Sequence, residues 1–216
     1  MLSNLLIEEI FPTPIGVVSC GLSSSARKIE VIGNKAYDNG KSIEYNTLSH
    51  NIELVRFKQR LPLYNGETVT DCQGWVWRIS KENTDNESIE LYCVLKDNPP
   101  GVRLGGSDPG EHLDSIVADS NYWTLHIGTE DGEIMQTRAS YNDWMPARFK
   151  DRLDFSKSFT TVQTNGLITQ VPELNAGERI YFHYLTAYDK YRFGTVNTWL
   201  AVDDYKRKLE NWIGVW

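Results

Sequence analysis

Within the stretch SYNDWMPARF (residues 140–149), Trp144 stands among Tyr141, Asn142, Asp143 and Arg148. An indole offers a flat apolar face, while amide, carboxylate and guanidinium groups fix the orientation of a polar ligand. The same residue types also make protein hot spots, where Trp, Tyr and Arg are enriched. Met145-Pro146 keeps the stretch out of a regular ladder, because proline donates no backbone hydrogen bond. A loop anchored by a buried Trp144 is the competing structural role. The polar neighbours point to a wet loop, so Trp144 is expected to be exposed and to serve recognition more than stability. Tyr141, Asn142, Asp143, Trp144 and Arg148 together form the candidate ligand site.

Other chemistry has weaker support. The four histidines are His50, His112, His126 and His183, and the zincin spacing HExxH is absent. His126 and His183 fall in expected strands, where cross-strand pairing could bring them together. A lone strand histidine is usually structural, and His183 between Tyr181 and Tyr184 suits a packed aromatic strand. No metal site and no cofactor are assigned. Cys20, Cys72 and Cys93 show no CxxC spacing and are expected to be free thiols. GVRLGGS (101–107) resembles a phosphate loop but lacks the lysine that engages terminal phosphates. GxSxG does not occur, so no nucleophile is assigned. Glu8-Glu9 and Asp203-Asp204 sit at expected helix starts, where acidic groups complement the dipole. Glu130, Asp131 and Glu133 are expected to be solvated around a hairpin turn. Catalytic residues stay unassigned, and a non-enzyme is the favoured expectation.

Composition narrows the partners. The chain has 216 residues, with 29 Asp+Glu against 22 Lys+Arg and a net charge of −7. That balance argues against a nucleic-acid binder held by phosphate contacts. No apolar run approaches the length of a membrane-spanning helix. MLSNLLIEEIF lacks the positive start of a secretory signal, so a cytoplasmic location is the default expectation.

The elements that must position these residues read mainly as strands. Trp75, Trp77 and Ile79 share one strand face, with Val76 and Arg78 on the other. SIELYCVLKD (88–97), YWTLHIG (122–128), AGERIYFHYLTAY (176–188) and TVNTWLAV (195–202) read as further strands. Hairpin turns are expected at Asn65-Gly66 (after Leu61–Tyr64), at Asp131-Gly132 with a return through Ile134–Ser140, and at Asn165-Gly166. Tyr205, Leu209 and Trp212 fall on one helical stripe in DDYKRKLENW (203–212). The terminal GVW, ending on Trp216, is expected to dock on the body.

The expected fold is therefore all-β: an antiparallel β-sandwich with a short C-terminal helix. Residues 1–28 read as an N-terminal segment and 29–216 as the sandwich body. The alternative is two immunoglobulin-like halves split at the Pro/Gly-rich loop 98–114. The first functional expectation is a non-catalytic module that binds a small polar ligand or carbohydrate through loop aromatics. Alternatives are a protein-interaction or assembly subunit, with oligomerisation open, and an enzyme whose site is assembled from distant strands.

Overall fold

The computed structural model describes residues 4–26, 28–58, 63, 65–105 and 113–215. Tyr64, Gly106, Ser107, His112 and Trp216, all weighed above, lie outside the described residues. The architecture is the all-β, antiparallel sandwich that the period-two pattern predicts. One sheet has five strands, in the order β1 (Asn4–Thr13), β2 (Gly16–Ser24), β7 (Ile89–Lys96), β12 (Gly166–Gln170) and β11 (Thr160–Gln163). The other has eight: β3 (Glu30–Tyr37), β4 (Gly40–Asn46), β5 (His50–Phe57), β6 (Asp71–Lys81), β13 (Arg179–Lys190), β10 (Trp123–Glu130), β9 (Leu113–Asp119) and β8 (Arg103–Gly105). Strands before residue 98 occupy one side of both sheets, and strands after it the other. The two sides are joined by β7 pairing β12 and by β6 pairing β13.

Alternation along the strands builds the core. Trp75, Trp77 and Ile79 point between the sheets, where they pack with Leu22, Leu91, Phe182 and Tyr184. The opposite face of β6 and β13 is also apolar, carrying Val76, Leu185 and Ala187. A face of that kind must be covered, and helices do it. These are α2 (Asn197–Val202) and α3 (Lys206–Ile213), which bury Leu200, Ala201, Val202, Leu209 and Ile213. The C-terminal helix thus forms as its stripe predicts. Cys20, Cys72 and Cys93 are buried and form no disulfide among the described residues. No helix among the described residues is long and apolar enough to cross a membrane.

Several local expectations are corrected. Ile134–Ser140 is not a returning strand but part of α1 (Gly132–Ser140). Asp131 caps that helix, its Oδ1 accepting from the Ile134 amide at 2.9 Å. Gly132 is required by close approach: a Cβ there would collide with the carbonyls of Asp154 and Lys157. An Asp-Gly pair therefore starts a helix here instead of turning a hairpin. Residues 197–202 are helical, not extended, because their apolar side chains cover the outer sheet face. Asn165-Gly166 does mark a hairpin, but Gly166 already pairs with Gln163, so the turn sits at 164–165. Asn65-Gly66 turns within the β5–β6 connection, where the Leu63 amide donates to the Glu67 carbonyl. Glu8 and Glu9 lie on β1, not at a helix start.

Candidate ligand-binding end

Loops from both sheets meet at one end of the sandwich, and main-chain hydrogen bonds tie them together. The Ser25 amide donates to the Ser88 carbonyl (3.0 Å) and the Glu82 amide to that of Ser49 (2.8 Å). The Lys81 amide donates to Glu178 O (2.9 Å), and the Gly177 amide returns a bond to Lys81 O (2.8 Å). Loop ends of a rigid sandwich are where such folds place recognition.

The 141–148 loop is one wall of this end. Asn142 and Trp144 both adopt left-handed backbone, with φ of 52° and 49°. Non-glycine residues rarely accept that region, at a cost of roughly 1–3 kcal/mol each. Arg138, buried on α1, holds the loop in place. Its Nε donates to Asp143 O (3.3 Å) and its Nη2 to the carbonyls of Trp144 (2.8 Å) and Tyr181 (3.1 Å). The remaining charge is balanced by Glu130, 2.6 Å from Nη1. Glu130 is 2 % exposed, so the expectation of a solvated turn fails for it. Burial pushes its carboxyl up, but Arg138 and His183 beside it prevail and lower its pKa.

The five sequence candidates are distributed around this loop. Trp144 is half-buried, and the guanidinium groups of Arg78 (4.2 Å) and Arg179 (4.5 Å) lie over its ring. The ring quadrupole attracts both cations. The expected open platform instead carries two arginines, and Tyr141, 82 % exposed, is the open ring. Asn142 and Arg148 come together, lining a cleft of about 430 Å³ with Gly177, Glu178 and Arg179. Trp144 borders a separate depression of about 200 Å³ beside Asn51, Glu53, Arg78 and Ser80. Asp143 turns away from both and binds Lys206 Nζ at 2.7 Å. Arg148 grips Glu178 in a two-point fork (2.9 and 2.7 Å), which lowers the Glu178 pKa.

A second cluster at the same end was not visible from residue spacing. Glu87 accepts hydrogen bonds from Ser24 Oγ (2.5 Å), Thr47 Oγ1 (2.6 Å) and Ser49 Oγ (2.8 Å), and its Oε2 lies 3.2 Å from His50 Nδ1. Its side chain is only 3 % exposed. Burial alone would raise the carboxyl; the four partners outweigh it and hold the pKa at about 2. Ser49 Oγ also meets His50 Nδ1 at 2.9 Å. Serine and carboxylate thus share one ring nitrogen, whereas a nucleophilic triad needs them on opposite nitrogens. The cluster knits the β2–β3, β4–β5 and β6–β7 connections into one rigid hub. Its contributors, at positions 24, 47, 49, 50 and 87, follow no motif; only their abundance in polar loops hinted at it.

The two strand histidines do not converge. His126 lies opposite Ala187, four residues along β13 from His183, or about 13 Å at strand rise. His126 Nδ1 meets Thr198 Oγ1 at 2.9 Å, while His183 is fully buried beside Tyr181. Among the described residues, no group of three or more His, Cys, Asp or Glu side chains is placed to hold a metal ion. No protein-family model matches the chain, and neither a curated protein nor a solved structure matches it.

Proposed function

We propose that the chain is a non-catalytic β-sandwich module that recognises a polar ligand of carbohydrate character at the 141–148 loop. The observation that carries this reading is the buried Arg138–Glu130 pair, whose guanidinium binds the carbonyls of Asp143 and Trp144 in a loop where Asn142 and Trp144 are left-handed. A fold that only needed to connect α1 to the next element would have no reason to hold a strained loop rigid; a binding loop gains from preorganisation. Tyr141 offers an exposed ring to the apolar face of a sugar. Asn142 and Arg179 offer donors and an acceptor to its hydroxyls across the 430 Å³ cleft. The carboxylate lining that cleft, Glu178, is held ionised by Arg148, which suits orientation of a ligand better than proton transfer near neutrality.

A glycan array probed with the wild-type protein, Tyr141→Ala and Arg179→Ala tests this. Hits should weaken at least tenfold in both variants, about 1.4 kcal/mol, with unfolding midpoints changed by under about 0.5 kcal/mol. Hits that both variants retain at wild-type strength, or an array on which the wild type binds nothing, would overturn the reading.

A further inference from the structure

We infer that the cleft between residues 86–88 and 171–174 is a second binding site, shaped for an uncharged saccharide ring. It encloses about 440 Å³, inside the usual range for small-molecule sites. Its wall contains three polar side chains that are almost wholly buried: His50 at 3 % exposure, Lys81 at 4 % and Glu87, whose side chain is 3 % exposed. Lys and Glu are seldom buried to this degree, and apolar side chains would close the end of a sandwich at lower cost. Here the buried groups border open space. His50 Nδ1 is engaged by Ser49 and Glu87, and no hydrogen bond among the described residues reaches its Nε2. That nitrogen remains as a fixed acceptor or donor for a ligand hydroxyl.

The rest of the lining selects the ligand class. Ser25, Asn86 and Ser88 bring hydroxyl and amide groups to the lining, and Ile89, Val171 and Leu174 bring apolar surface. A pyranose presents the same mixture, with a hydroxyl rim and a face of C–H groups. Charge disfavours ions: an anion would meet Glu87 and Glu173, and a cation would meet Lys81. An adjoining concavity of about 510 Å³ shares Ser25, Asn86 and Glu87, so a second sugar unit has room to follow the first. This site uses none of the 141–148 residues and stands or falls apart from the reading given above.

The test follows the imidazole signals of His50 by NMR in histidine-labelled protein. The probes are methyl β-D-glucopyranoside, methyl α-D-mannopyranoside and N-acetylglucosamine, each taken to about 0.1 M, which detects Kd values in the millimolar range. At least one should shift the His50 signals saturably. Asn86→Ala, a change at an exposed residue, should weaken that response at least tenfold, and Tyr141→Ala should leave it intact. Unmoved His50 signals with all three sugars in the folded protein would overturn the proposal. So would a response abolished by Tyr141→Ala, or an equal saturable response to inorganic phosphate.

Discussion

Glu87 remains ionised in a place where its side chain is almost out of water, and its hydrogen bonds are the reason. Its carboxyl falls from the ordinary 4.5 to about 2 in the folded chain. A carboxyl whose folded pKa is depressed adds stability that is fully present above its unfolded value. That stability is lost as pH falls through the window from about 4.5 to 2. At about 1.4 kcal/mol per pKa unit the contribution is on the order of 3 kcal/mol at neutral pH. Glu87→Gln should therefore lower the unfolding free energy by about 2–3 kcal/mol at pH 7 and flatten its acid dependence below about pH 4.5. Urea midpoints of both proteins across pH 2.5–7 measure this; an unchanged acid limb in the variant would show that Glu87 does not carry it. Ser24 at the end of β2 and the Thr47–His50 turn converge on a carboxylate that sits between β6 and β7, so none of this could be read from local sequence. The residue types at 140–149 were legible as a loop rich in recognition groups. What they touch was not, because Arg78 and Arg179 arrive on β6 and β13 and lie over the Trp144 ring.

At the scale of elements, the strands were legible wherever apolar residues alternate, since one face of each sheet is buried and the period of two is enforced by burial. Trp75, Trp77 and Ile79 lie inside as their spacing requires. The helices over the outer face were harder. Asp131-Gly132 has the chemistry of a tight hairpin, and only the approach of the 154–157 segment shows why a glycine without a turn is needed there. Residues 197–202 bury almost every side chain, which erases the helical stripe that periodicity could detect. Asp131 and Gly132 predict different mutational costs. Asp131→Ala removes one capping bond and should cost about 1 kcal/mol. Gly132→Ala improves intrinsic helix propensity, yet its methyl meets two carbonyl oxygens and should cost about 2–3 kcal/mol. Thermal unfolding of the pair checks the order; a stabilised Gly132→Ala would mean the contact with Asp154 and Lys157 is not tight.

Across the whole molecule, residue 98 divides the described strands into two contiguous groups without separating the sheets. Before it come β1, β2 and β7 in one sheet and β3–β6 in the other, seven strands of sandwich; after it come the remaining six. Each group has the strand count of a small sandwich domain, which is why a split there was a reasonable reading of the sequence. The seam between them argues for one cooperative unit. β6 and β13 are joined by ten consecutive residue pairs, from Asp71–Tyr188 to Ser80–Arg179, and both strands are buried along most of their length. The core is continuous across the seam as well: Trp75 and Trp77 share a cluster with Leu125, Ile127 and Tyr184. Cutting the chain would turn β6 and β7 into long apolar edges, the kind that pair with other chains or unfold. Urea unfolding of the intact chain should therefore give a single transition, coincident by tryptophan fluorescence and far-UV circular dichroism. Residues 1–97 produced alone should show no cooperative transition, and should regain one when mixed with residues 98–216. If residues 1–97 instead unfold cooperatively as a soluble monomer, the seam joins two independent sandwiches and the hydrogen bonds between β6 and β13 are an interface between domains.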